Sequence, residues 1–265
     1  MYFNINEKSI LLSEKGMESC HNGEFEKGLE YFNRGLDDDP ENILLLYNKA
    51  GCLVSLGEIE KSEAIFKKII MLCDKFSKSE LVLNVKANSF TYLGDYDAAR
   101  VVFDEILKYF PDNVDALVSR GICLKREDKY DDALKCFDKV LELNPDNFEA
   151  NLYKGELLID FGDKQDSKQY VDRAFDLCPN FPYAVYLKGY YHFHVHSDYK
   201  KAIEYFDRAI SLDSGFEKCH FGKGICCLLL GDATEAKKSF DNISQFGDGA
   251  SDELIDDVLQ LMASN

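Results

Sequence analysis

The chain repeats at intervals of about 34 residues, and this periodicity constrains its fold more than any other feature. A second small residue follows the first small residue of each repeat after 12 or 13 positions, and an apolar residue comes four positions later. Such a repeat predicts tandem copies of one unit that stack on their neighbours. The first small residue follows a basic residue in all seven copies: Gly16, Ala50, Ala87, Gly121, Gly155, Gly189 and Gly224.

The apolar residues within a repeat have helical spacing. If the first small residue is numbered 8, positions 4, 8 and 11 lie on one face of a helix, as Leu46, Ala50 and Leu53 do. A second helix follows. The small residues of the two helices allow them to approach closely, and the aromatic residue of the second helix is expected to fill the space against the next unit. Glycines that can adopt the left-handed conformation are expected between the two helices: Gly23, Gly57, Gly94, Gly162 and Gly231.

This pattern resembles the tetratricopeptide repeat (TPR) over nearly the whole chain. The resemblance implies an all-α, right-handed helical solenoid, the TPR superhelix, built from helix-turn-helix repeats with a concave groove that binds peptides. Departures are the absence of tryptophan and the polar residues Asn151 and His220 at position 4. We expect a leader over 1–8, a capping helix over 251–265, and seven units between them at 9–42, 43–76, 80–113, 114–147, 148–181, 182–216 and 217–250.

Charge and cysteine content narrow the possible partners and the compartment. The formal net charge of −17 disfavours nucleic acid and anionic membranes as partners. Nine scattered cysteines do not form a disulfide framework, and the first residues lack the features of a signal peptide. We therefore expect a cytoplasmic, acidic protein that binds another protein or peptide with apolar or basic character.

Helix positions 2, 5, 6, 9, 12 and 13 face away from the predicted core, and the TPR resemblance places them on the groove. Aromatic residues become frequent there from the fifth unit onward, and tyrosine is typical of protein interfaces. A surface without a ligand is the alternative. The predicted partner-binding residues are Tyr47, Asn48, Asn84, Asn88, Tyr92, Arg126, Tyr153, Tyr183, Tyr186, Tyr190, His194 and Phe221.

The basic residue before each first small residue is expected to face the seam between units. Its aliphatic stem can pack there while its charge reaches an aspartate on the second helix of the same or the preceding unit. Anion binding is the alternative use of these cations. The aspartates available at position 25 are Asp104, Asp138, Asp172, Asp207 and Asp241.

The leading functional prediction is a non-catalytic scaffold or adaptor without a metal or cofactor. No three consecutive units carry the Lys-Asn-Asn-Lys-Arg clamp by which relatives bind chaperone C-terminal carboxylates, so binding by that mode is not expected. His192 and His196 are one helical turn apart, but no third ligand accompanies them at a fixed spacing. The alternatives are a structural protein that associates with itself and, third, a metal-binding or enzymatic protein.

Overall fold

The computed structural model describes residues 7–76, 78–161 and 164–244. All regular elements in these ranges are α-helices, which confirms the all-α prediction. Most of the predicted leader, the last residues of the seventh unit and the predicted capping helix lie outside the described residues. The unit boundaries stay a prediction.

The described residues form fourteen helices that follow one another in pairs. The chain divides into two compact units, residues 1–139 and 140–265, and the boundary falls within the eighth helix. Consecutive helices pack against each other from the first to the seventh and from the ninth to the fourteenth. The helices are α1 (Glu7–His21), α2 (Phe25–Asp38), α3 (Ile43–Ser55), α4 (Ile59–Cys73), α5 (Glu80–Tyr92), α6 (Tyr96–Tyr109), α7 (Val114–Arg126), α8 (Tyr130–Leu143), α9 (Phe148–Phe161), α10 (Ser167–Leu177), α11 (Pro182–His196), α12 (Tyr199–Leu212), α13 (Glu217–Leu229) and α14 (Ala233–Ser244).

Side-chain caps begin many of these helices. An Asn, Asp or Ser side chain accepts a hydrogen bond from the backbone N–H three residues later, which satisfies one of the N–H groups that a helix start leaves without a partner. These caps fix where the chain enters each helix. The capping residues are Asn42, Ser79, Asp95, Asn113, Asn147, Asp198 and Asp232.

The turns inside the hairpins use the left-handed backbone conformation. Gly23, Gly57, Gly94 and Gly231 have φ between 74° and 83°, as predicted, whereas Gly162 lies outside the described residues. Two further positive φ values belong to non-glycine residues, Asp128 at 59° and Ser197 at 51°. These two turns were not predicted from the sequence, because neither residue is a glycine.

The aromatic residue of the second helix packs against the first small residue of its own hairpin. A methyl carbon placed on Gly189 would lie 2.7 Å from the ring of Phe206, and one on Gly222 of α13 would lie 2.8 Å from the same ring. Phe206 is only 1% exposed. Its ring is therefore held between two helix backbones, which can approach it because both positions lack a side chain.

The polar residues at position 4 of the fifth and seventh repeats are buried and hydrogen-bonded. The Nδ2 atom of Asn151 donates to the carbonyl oxygen of Pro145 at 2.9 Å. His220 makes the matching contact through Nε2, 2.9 Å from the carbonyl oxygen of Ser214. Each side chain thus bonds to a carbonyl six residues earlier, which reduces the cost of placing a polar group in the core.

The ion pairs predicted along the seams are confirmed at three positions in the described part of the chain, and at a fourth Lys86 pairs with Asp74 instead of a predicted aspartate. In each pair the basic residue reaches back to an aspartate that precedes it by 12 or 16 residues. These cations are therefore bound to the protein's own carboxylates. The pairs are Lys86–Asp74 at 2.5 Å, Arg120–Asp104 at 2.6 Å, Lys188–Asp172 at 2.6 Å and Lys223–Asp207 at 2.9 Å.

Candidate partner-binding site

Three tyrosines of α11 form a continuous row of rings. The ring centroids of Tyr183 and Tyr186 are 5.4 Å apart, and those of Tyr186 and Tyr190 are 5.5 Å apart. His194 continues the row, with its ring 4.2 Å from that of Tyr190. The spacing of three or four residues places these side chains along one side of the helix. The structure thus brings together four of the residues predicted from the sequence.

Carboxylates of α9 hold two of these tyrosines in place. The Tyr183 hydroxyl donates to Oε1 of Glu156 at 2.5 Å, and the Tyr190 hydroxyl donates to Oδ1 of Asp160 at 2.6 Å. Burial raises the pKa of both tyrosines well above the ordinary value, and the charge of Glu156 and the hydrogen bond to Asp160 add to this effect. Both hydroxyls therefore stay protonated at neutral pH, with their oxygens fixed by α9.

Tyr186 is more buried than its position on the helical wheel predicts. It is 8% exposed because its ring packs against Phe206 and Phe216, at centroid distances of 5.9 and 5.4 Å. Tyr183 and Tyr190 on either side are half-buried. Tyr186 therefore forms part of the floor of a surface cleft, and the accessible aromatic surface belongs to Tyr183 and Tyr190.

This floor lies beneath an open cleft of about 630 Å³ between α11, α13 and α14. Its walls are mainly apolar and include Phe193, Phe221 and Ile225. Polar residues, among them His194, Glu217 and Lys218, also line the cleft. An apolar cleft with a few polar groups is the usual form of a ligand-binding site in proteins.

The cleft has a cation beside its tyrosines. The Nζ atom of Lys218 lies 5.2 Å from the ring centroid of Tyr183 and 5.7 Å from that of Tyr186. These distances allow a cation–π interaction with both rings. The site-residue prediction missed Lys218, Phe193 and Ile225, although all three occupy helix positions assigned to the groove. The assigned positions themselves could have identified them.

Four of the predicted residues of the first compact unit line two smaller clefts. Tyr47 and Asn48 line one of about 320 Å³, and Tyr47, Asn88 and Tyr92 line another of about 420 Å³. Tyr92 packs on Phe66 with a centroid distance of 4.3 Å.

Three predicted residues lie outside these clefts. Asn84 is half-buried on α5, and Arg126 is exposed on α7 with its guanidinium 6.0 Å from the ring centroid of Tyr96. Tyr153, in the second unit, is half-buried on α9. The predicted site residues therefore form separate groups within the two compact units.

His192, near the end of α11, is a buried histidine. His192 is 8% exposed and stacks on Tyr205 with an interplanar angle of 6°. Burial lowers its pKa to about 4.

Among the described residues, no group of three or more His, Cys, Asp and Glu side chains is placed to hold a metal ion. The same part of the chain has no helix long and apolar enough to cross a membrane.

Three family models of the tetratricopeptide repeat match this chain. One matches residues 114–147, a second matches 84–128 and 154–217, and a third matches 44–76. Together the matches cover more than half of the chain, so the protein belongs to the tetratricopeptide repeat family.

Known relatives share part of the chain. Protein CTR9 homolog of Arabidopsis thaliana is 31% identical over 109 residues, which are 41% of this chain and 10% of that protein. RNA polymerase II-associated protein 3 of Mus musculus is 26% identical over 111 residues, 42% of this chain and 16% of that protein. The chain spans less than a fifth of the length of either relative.

A solved structure matches almost the entire chain. The crystal structure of a tetratricopeptide repeat protein from Parabacteroides merdae has a TM-score of 0.69 at 19% identity, and the match covers 97% of this chain and 100% of that one. The predicted fold class, a helical solenoid of TPR units, is confirmed. The repeats and the relatives point to a protein-interaction scaffold.

Proposed function

We propose that this protein is a non-catalytic cytoplasmic scaffold or adaptor that binds a segment of another protein, either extended or helical. The cleft between α11, α13 and α14, called the α11–α13 cleft from here on, is the main anchor site for that segment. The observation that carries the proposal is the apolar cleft of about 630 Å³ beside a row of aromatic rings on α11. A soluble protein that leaves such a concave apolar surface open has a binding site for an apolar ligand group.

The chemistry of the cleft selects the side chains that enter it. Phe193, Phe221 and Ile225 offer no hydrogen-bonding side-chain atoms, so the entering groups are aliphatic or aromatic. Burying one Leu or Phe side chain contributes roughly 1.5–3 kcal/mol. Two such anchors offset part of the entropy that an ordered peptide loses.

The surroundings of the cleft favour a partner with basic groups. Asp160 is exposed at one end of the tyrosine row, and the whole chain carries a formal charge of −17. Long-range repulsion therefore slows the approach of acidic segments and favours cationic ones. Because the tyrosine row extends past the cleft to Tyr183, it suits an elongated peptide better than a compact small molecule.

Peptide display tests this proposal. A library of 15-residue peptides is selected on the full-length protein, and the selected peptides are measured by calorimetry against wild type and Ile225→Glu. We expect sequences with two apolar residues and at least one basic residue, and affinity at least about tenfold weaker for Ile225→Glu, since a charge in the cleft must be desolvated.

The matched control is Val101→Glu, which introduces the same charge at a 61% exposed apolar residue of α6. Circular dichroism establishes that both variants are folded. Peptides that bind Ile225→Glu and wild type equally would place binding outside the cleft. Failure to enrich any peptide sequence would count against peptide binding itself.

A further inference from the structure

Cys20 of α1 and Cys52 of α3 form a close pair of thiols. Their sulfur atoms are 3.3 Å apart, although 32 residues separate them in the sequence. The Cys20 thiol donates to Cys52, and the Cys52 thiol donates to the carbonyl oxygen of Phe25 at 3.0 Å. Since a disulfide bond is about 2.0 Å long, the sulfurs need to approach by about 1.3 Å to bond.

Gly28 of α2 makes room for this pair. A methyl carbon at Gly28 would lie 2.4 Å from Sγ of Cys20 and 3.5 Å from Sγ of Cys52. The first of these distances is too short for two atoms that are not bonded. Because Gly28 has no side chain, the two sulfurs have room to lie next to each other.

Only one of the thiols is readily accessible. Cys20 is half-buried, whereas Cys52 is 3% exposed, and both line the cleft of about 320 Å³ that also contains Tyr47 and Asn48. Burial, with the neighbouring Cys20, raises the pKa of Cys52. A dithiol with a poorly stabilised thiolate favours its disulfide form, because the reduced state gains nothing from ionisation.

We propose that Cys20 and Cys52 are a redox-modification site that a small disulfide such as oxidised glutathione converts to an intramolecular disulfide. Cys20 loses its proton, and its thiolate attacks one sulfur of the oxidant, which expels one glutathione thiolate. Cys52 then loses its proton and attacks Sγ of Cys20, which breaks the mixed disulfide and releases the second glutathione thiolate. The protein dithiol loses two electrons, the oxidant gains two, and the two released thiolates take up the two protons.

The disulfide joins the first two hairpins at the wall of a cleft. α1 and α3 are already linked there by a hydrogen bond from Nδ2 of Asn48 to Oγ of Ser13, at 3.1 Å. A covalent link beside it fixes the distance between these helices and hence the width of the cleft. This site is independent of the α11–α13 cleft and does not require the proposed function to be correct.

The test is equilibration of the full chain in buffers of reduced and oxidised glutathione, followed by acid quenching, mass spectrometry and peptide mapping. We expect the Cys20–Cys52 disulfide to form with an equilibrium constant on the order of a hundredfold larger in the native protein than in 8 M urea, as for a native-state disulfide that stabilises its fold. Its formation should also raise the melting temperature, which the same treatment should not do in Cys52→Ala.

Two variants separate proximity from general thiol reactivity. In Cys52→Ala the mixed glutathione disulfide should accumulate on Cys20, since the second step is lost. Gly28→Ala, checked for folding by circular dichroism, should slow formation of the intramolecular bond at least tenfold. Accumulation of the mixed disulfide alone in wild type, equal constants in native and unfolded chains, or preferential oxidation at other cysteines such as Cys226 would overturn the proposal.

Discussion

Phe206 packs between two glycines, so replacing one of them, Gly189, by alanine should destabilise the fold. The same substitution at Gly51 should stabilise the fold. Gly189→Ala adds a methyl carbon 2.7 Å from the Phe206 ring and 3.2 Å from the carbonyl oxygen of Ala202. Gly222 blocks movement of the ring toward α13, where its own added methyl would be 2.8 Å away. Gly51→Ala introduces the same methyl in α3, where, apart from the adjacent residues and the helix's own backbone, no atom lies within 4 Å.

The magnitudes follow from two opposing contributions. Alanine stabilises a helix interior by roughly 0.5–1 kcal/mol relative to glycine, and overpacking a filled core costs roughly 1–3 kcal/mol. At Gly189 the ring cannot move away, so the upper half of the overpacking range, about 2–3 kcal/mol, applies and the net loss of stability is about 1–2.5 kcal/mol. At Gly51 only the favourable contribution remains, and the net gain is about 0.5–1 kcal/mol.

Urea unfolding followed by circular dichroism at 222 nm measures both effects. With a slope of about 2 kcal/mol per molar urea, the midpoint should fall by roughly 0.5–1.25 M in Gly189→Ala and rise by roughly 0.25–0.5 M in Gly51→Ala. Midpoints are the proper comparison, since a repeat protein need not unfold in two states. A shift of the same sign in both variants would refute the packing argument.

Two further predictions concern a turn and a seam. Ser197 has φ of 51° at the end of α11, so Ser197→Gly should raise the free energy of unfolding by about 0.5–1 kcal/mol, and an unchanged urea midpoint would contradict this expectation. Burial tends to raise the pKa of Asp172, but hydrogen bonds from Lys168 and Lys188 outweigh burial and hold it below the usual range. The stabilisation is therefore present at neutral pH and lost as pH falls through the lowered pKa. Asp172→Asn should be less stable than wild type at pH 7, and in urea titrations this difference should shrink as the pH falls below about 4.

The repeat period made most of the fold predictable from the sequence. Positions that recur along the chain identified the helix pairs and the turns at Gly23, Gly57, Gly94 and Gly231. The seam pairing of Lys188 with Asp172 was also predictable, because both residues recur at fixed positions. Lys86 shows the limit of this reasoning, since Lys67 stands where its aspartate would be and Asp74 replaces it.

The candidate site was only partly predictable because it depends on neighbouring helices. A helical wheel places Tyr186 on an outer face but does not include Phe206 and Phe216, which bury its ring. The cation of Lys218 near the tyrosines is likewise a contact between helices. Cys20 and Cys52 occupy different repeat positions, so the period contains no signal for their proximity.

The shared ring of Phe206 has a consequence for how the second compact unit opens. The hairpin of α11 and α12 and the following helix α13 both cover this ring, so separating either one exposes it to water. Amide protons of α11 and α13 should therefore exchange with solvent through a common opening event, with nearly equal protection factors. A side chain held jointly by two neighbours turns a row of small helical pairs into a cooperative folding unit.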